Sequence, residues 1–141
     1  MSTRDDRREA IRDLVRAGGV RTQAEIVDAL KAKGFKATQA TVSRDIADLE
    51  LQKDGTGVYV LVEDLQLRAL GKTAMTDVRR SGNQVVLLCK PGTAPSVAAA
   101  IDAARDSDVL GSIAGDDTVL VIATDEEAGS KFLARMEGLM A

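Results

Sequence analysis

The sequence of 141 residues predicts an α+β protein in two parts: an N-terminal winged helix-turn-helix domain, then a C-terminal α/β sandwich-like domain with an antiparallel sheet and two helices. Three observations predict it. Residues 4–49 hold three amphipathic segments at helical spacing, the last two separated by a short turn containing Gly34. A strand pair around Asp54-Gly55-Thr56-Gly57 follows, as a wing would. The later part then runs strand, strand, helix, strand, strand, helix, an order suited to an antiparallel sheet with helices on one face.

The first helix is expected from about Arg4 to Ala17, with Ile11, Leu14 and Val15 inward and Gly18-Gly19 as its stop. Its outer arginines, Arg4, Arg7, Arg8, Arg12 and Arg16, alternate with Asp5, Asp6, Glu9 and Asp13. Most of them are therefore expected to pair along the helix rather than to reach phosphates. The second helix opens on Thr22 and Glu25 at capping-box spacing and runs to about Lys33. Ala24, Val27 and Leu30 make its apolar stripe, Ile26 broadens it, and Gly34 ends it.

Residues 38–45, TQATVSRD, open the third helix, with Thr38 as N-cap and Val42, Ile46 and Leu49 inward. Its other face carries Gln39, Thr41, Ser43 and Arg44. These are donors and acceptors suited to base edges and phosphates, placed in the first turns, where a reading helix meets DNA. Taken alone, such a face is equally that of an ordinary solvated helix. In the wing, Lys53 is the one strong phosphate contact expected.

Residues 63–74, EDLQLRALGKTA, lack strong periodicity and contain Gly71, which suggests a connecting segment. The expected organisation is a DNA-binding domain over 1–66, a linker over 67–74 and a second domain over 75–141. In that second domain Ser81-Gly82-Asn83 turns the chain into an apolar strand, Val85 to Cys89, and Pro91-Gly92 breaks it. Thr93 is placed to cap an Ala-rich helix reaching about Ala104, with Pro95 tolerable in its first turn. Two further strands join through Gly115-Asp116-Asp117, and Asp125 to Met140 forms the last helix. That helix carries Phe132, Leu133, Met136, Leu139 and Met140, more apolar surface than a domain of this size needs for its own core, so self-association is expected.

Composition narrows the function. Histidine is absent, which removes the usual general base, the commonest metal ligand and any Ser-His or Cys-His nucleophile pair, so neither catalytic residues nor an enzyme is expected. Phe35, Phe132 and Tyr59 are the only aromatics, which argues against a base-stacking platform. The single Cys89 suits a reducing cytoplasm and a buried structural role. The N-terminal stretch carries charge without an apolar signal segment, and no run approaches membrane-spanning length, so a cytoplasmic protein without a membrane partner is expected. Net charge is −3, yet residues 1–53 hold eleven Lys or Arg against nine Asp or Glu. DNA binding would then rest on focused contacts or on several copies acting together.

The pair Asp116-Asp117, with Asp102 on the preceding helix, has two explanations. One is a plain hairpin turn; the other is a site for an amine or guanidinium, which carboxylates receive through charge-assisted bonds. No further ligand cluster points to a metal.

These motifs, TQAEIVDALKAKGF at 22–35 and TQATVSRD at 38–45, then PGTA at 91–94 and GSIAGDDT at 111–118, resemble the bacterial arginine repressor family over nearly the whole chain. The resemblance implies a winged domain that binds palindromic operator DNA. It also implies a C-terminal domain forming trimers that pair into hexamers, with L-arginine bound between trimers as corepressor of its own biosynthetic genes and no other cofactor. Carried to this sequence, it makes Ser43 and Arg44 the leading DNA contacts, with Gln39 and Thr41 beside them, and Asp102, Asp116 and Asp117 the ligand carboxylates. One departure stands out: Pro95 occupies a position where many relatives have a Gln that helps hold the amino acid. It leaves a regulator of the same architecture with another effector, or none, as the alternative.

Overall fold

The computed structural model describes residues 3–141. The Thr3 hydroxyl accepts the Asp6 amide at 3.1 Å and the Asp6 carboxylate accepts the Thr3 amide at 3.2 Å. This reciprocal cap starts α1, Arg4–Ala17, which buries Ile11 and Val15. At α2, Gln23–Ala32, the Thr22 hydroxyl accepts the Glu25 amide, but the Glu25 carboxylate reaches past the cap to the Arg21 amide at 3.0 Å. The expected capping box is thus displaced by one residue. The α2 stripe is also rotated: Ile26 and Leu30 are buried while Ala24 is exposed, because the larger side chains gain more by leaving water.

Helix α3, Gln39–Asp48, is capped by the Thr38 hydroxyl on the Thr41 amide. It leads into β1, Leu51–Lys53, paired antiparallel with β2, Tyr59–Leu61. The Asp54 carboxylate holds the wing loop by accepting the amides of Thr56 at 2.8 Å and Val58 at 3.1 Å. Ile11, Val15, Ile26, Leu30, Val42 and Leu61 form the shared core of these elements.

Compaction divides the chain between Val62 and Glu63. Beyond that point the structure departs from the sequence expectation. Residues 65–73, most of the stretch expected to connect the domains, form α4, Leu65–Thr73, with Leu67 and Gly71 buried. Gly71 does not break this helix; it admits the last helix of the chain, Glu126–Met140. A Cβ at Gly71 would stand 2.7 Å from the Leu139 Cβ and 2.8 Å from the Leu139 carbonyl oxygen, so only glycine allows the two helices to cross this closely.

The remaining elements are β3, Met75–Ser81; β4, Gln84–Cys89; α5, Ala94–Ala103; β5, Val109–Ala114; β6, Thr118–Ala123; and α6, Glu126–Met140. The four strands form one antiparallel sheet in the order β3-β4-β6-β5. Val85, Leu87 and Cys89 alternate inward on β4, as do Val119, Val121 and Ala123 on β6. Against this face pack Leu67 of α4, Val97 and Ile101 of α5, and Phe132 and Met136 of α6, so the unit has three helices rather than two. Arg135 of α6 ties this layer to the segments before α4 and after α5, with Asp64 at 3.4 Å and Asp106 at 2.7 Å.

The helices therefore spend their apolar residues inside the unit. Phe132 and Met136 are buried, and Leu133, Leu139 and Met140 pack against the same core, which removes α6 as the expected surplus. The surplus lies on the other face of the sheet, where Val86 pairs in register with Leu120 and Leu120 with Ile113. No helix of the unit covers that face, and Ile113 and the neighbouring Leu110 remain 73% and 69% exposed. Among the described residues, no helix is long and apolar enough to cross a membrane.

Candidate nucleic-acid interface and ligand turn

Helix α3 sorts its residues by face. Val42 and Asp45 turn into the unit, while Gln39, Ser43 and Arg44 are exposed. Thr41 is half-buried, with its hydroxyl 2.9 Å from that of Thr38, so it braces the cap as well as facing outward. Lys53 is exposed on β1, and its Nζ lies 5.1 Å from the centre of the Tyr59 ring. That cation–π contact steadies the wing cation without covering it.

Two arginines of α1 behave differently from expectation. Arg7 and Arg8 do pair, but across to α3 rather than along their own helix. Arg7 places Nε 2.5 Å from Asp45 Oδ2 and Nη2 2.9 Å from Oδ1, a two-pronged fork. Arg8 reaches Asp45 Oδ1 at 3.1 Å and also contacts the Asp48 carboxylate. Burial pushes the Asp45 carboxyl upward, but hydrogen bonds and charge from Arg7 and Arg8 outweigh it and hold the group below the usual carboxylate range. The same hydrogen bonds to Asp45 raise both guanidinium groups. These two arginines are consequently spent on the scaffold.

Three cations that the sequence expectation passed over remain exposed: Lys31 and Lys33 at the end of α2, and Lys36 just before the α3 cap. The signal was present in local charge. Between Ala29 and Arg44 the chain has four basic residues and no acidic one, although the whole chain is negative. Among the described residues, none of Lys31, Lys33, Lys36 and Arg44 forms an ion pair.

In the second unit, the β5–β6 turn is stitched to the loop before α5. Asp116 Oδ2 accepts the Gly92 amide at 3.2 Å and the Asp116 carbonyl accepts the Ala94 amide at the same distance. The Asp117 carbonyl accepts the Cys89 amide at 2.7 Å, leaving its carboxylate with the neighbouring Thr118 hydroxyl at 3.0 Å. The PGTA and GDDT motifs thus meet at the N-terminal end of α5. Thr93, expected to cap that helix, does not do so through its side chain; its hydroxyl donates instead to the Lys90 carbonyl at 2.7 Å. Pro95 sits in the first turn, exposed, where its missing N–H costs nothing.

Asp116 and Asp117 are exposed side by side, but Asp102 is not with them. It stands near the far end of α5, its Oδ1 3.4 Å from the Ser112 hydroxyl. Eight residues of helix from Ala94 to Asp102 span about 12 Å at 1.5 Å per residue. Burial, with the nearby Asp117 charge, pushes the Cys89 thiol up, in keeping with a structural rather than a reactive role.

Comparison with known proteins covers both units. The family described as the arginine repressor DNA binding domain matches residues 2–67, and the one described as the arginine repressor C-terminal domain matches residues 72–138. An arginine repressor of Symbiobacterium thermophilum is 42% identical over 95% of this chain and 97% of its own length. One of Carboxydothermus hydrogenoformans is 42% identical over 93% and 95%, and one of Solibacter usitatus 40% identical over 98% and 97%. With both of its units matched in order and nearly end to end, the chain belongs to the arginine repressor family.

Proposed function

We propose that this protein is an arginine-responsive transcriptional repressor that binds palindromic operator DNA through α3. The observation that carries the proposal is the exposed face of Gln39, Ser43 and Arg44, set in a basic window with the acids of the same helix turned toward α1. Ser43 and Arg44 read base edges, Gln39 and Thr41 flank them, and Lys53 holds phosphate from the wing. Lys31, Lys33 and Lys36 extend the backbone contacts.

L-Arginine acts as corepressor at Asp116 and Asp117. A planar guanidinium offers five donors, and paired carboxylates receive them while its charge offsets their mutual repulsion. The separation of Asp102 from that turn supports a site completed by Asp102 of another copy, so ligand and assembly are linked. The copies meet through the uncovered sheet face around Ile113 and Leu120 as a trimer, and two trimers pair into a hexamer. Pro95 supports a second reading, in which the same architecture responds to a different amino acid or to none.

Fluorescence anisotropy of a labelled palindromic operator, titrated at fixed salt with and without L-arginine, tests the proposal. Tighter and sequence-selective binding with arginine is the expected result. Selectivity indifferent to arginine favours the second reading, and absence of selectivity overturns the DNA-binding role of α3.

A further inference from the structure

Asp45 occupies the inward stripe of α3, in line with Val42 and Leu49 at helical spacing and only 1% exposed. An apolar residue there would serve the core equally well, since a buried ion pair replaced by well-packed apolar groups is often neutral or stabilising. What the ion pair supplies and an apolar contact does not is direction. Burial of apolar surface is non-directional, whereas a two-pronged guanidinium–carboxylate contact fixes both distance and orientation. Here Asp45 receives three N–H donors from two successive residues of α1, and Arg8 continues to Asp48 on the next turn of α3.

Ser43 and Arg44, the residues proposed to read DNA, immediately precede Asp45 on the same rigid helix. Any roll of α3 about its axis displaces them together. A roll of about 20° moves a group at the outer radius of a helix, about 5–6 Å from the axis, by about 2 Å. That exceeds the tolerance of a base-edge hydrogen bond.

We propose that Arg7 and Asp45 are positioning residues for operator recognition: their fork, supported by Arg8 and Asp48, sets the roll of α3 and so the aim of Ser43 and Arg44. The proposal rests on the DNA-binding reading of α3. It assigns Arg7 to the scaffold rather than to the DNA backbone, and it separates selectivity from bulk affinity.

The test compares operator and random duplex across salt for the full-length parent and three variants: Asp45→Asn, Arg7→Lys, and the paired Arg7→Met/Asp45→Leu. Asp45→Asn is expected to lower operator affinity about 30-fold, the worth of one well-made base contact, and random-duplex affinity by less than threefold. Arg7→Lys keeps the charge but loses the fork, and is expected to lose selectivity in the same direction. The paired apolar variant is the decisive one. It is expected to melt at or above the parent, yet to keep the lowered operator-to-random ratio and the parent's salt slope.

A paired variant whose ratio returns to the parent's overturns the proposal, because the pair is then merely structural. A salt slope reduced by about 0.9 in the paired variant, which removes the Arg7 charge, makes Arg7 a phosphate contact and overturns it as well. If the parent itself shows no operator selectivity, the DNA-binding reading fails first; if the parent selects and all three variants select equally, only the positioning role fails.

Discussion

In the N-terminal unit the acids of α3 turn toward α1, where Arg7 and Arg8 take them up, and the cations of the α2–α3 stretch are left facing solvent. In the C-terminal unit the arrangement is reversed. Asp116 and Asp117 face solvent with only amide and hydroxyl partners, and the sheet presents an apolar face instead of a charged one. Arg135 of that unit lies inside, between Asp64 and Asp106. The difference teaches that net charge is a poor guide to this protein: what counts is the local display, cations around the α2–α3 turn in one unit and paired carboxylates at the β5–β6 turn in the other. A surface displaying cations suits a polyanion, and one displaying paired carboxylates beside apolar strands suits a cationic ligand and another copy of itself.

The sharpest break in that comparison comes from the cores. Phe132→Ala is expected to cost the C-terminal unit about 4 kcal/mol, the usual range for a buried aromatic. Hydrogen exchange should then show lost protection in β4, β6 and α5 while the amides of α1–α3 keep theirs. Equal loss in both units would show one cooperative core instead of two.

Arg44→Ala is expected to weaken operator binding by about 2 kcal/mol, near thirtyfold, with no change in assembly measured by sedimentation. In the opposite sense, Ile113→Asp is expected to dissociate the proposed assembly while leaving the far-UV spectrum intact, because it places a charge on the uncovered face. Operator affinity then falls only through lost multivalency.

Acid sharpens the contrast. The folded Asp45 carboxyl is held below its ordinary value, so its stabilisation is fully present above about pH 4. It is lost as the pH falls further through the depressed folded value. Asp45→Asn should therefore show a flatter acid unfolding limb by circular dichroism than the parent. The smallest effect expected is that of Lys36→Gln: the slope of log affinity against log salt falls by about 0.9, and sequence preference stays unchanged.

Much of the fold was legible before any coordinates. Capping hydroxyls at Thr22 and Thr38, glycine stops and helical spacing mark α2 and α3, while period-two alternation marks β4 and β6. These are local signals, carried by residues a few positions apart. Helix α4 escaped because it has a short pattern and a glycine whose purpose lies about seventy residues away, at Leu139. The lysines around the α2–α3 turn escaped because whole-chain charge hid a local excess.

Local chemistry in the sequence determined the helix-turn-helix, the wing, the succession of strands and helices along the second unit and the acidic turn. Those features follow from backbone propensity and patterning, which act over a few residues. Three matters waited for the tertiary structure. Arg7 and Arg8 chose partners on α3 over the acids beside them on α1, since a half-buried fork onto Asp45 outweighs solvent-screened pairs along a helix. The apolar residues of α6 went into the core and left the open sheet face as the exposed apolar surface, because burial goes to whichever face the helices reach. Asp102 was carried to the far end of α5 from Asp116 and Asp117 by the rise of the helix, a separation that the order of residues along the chain does not reveal.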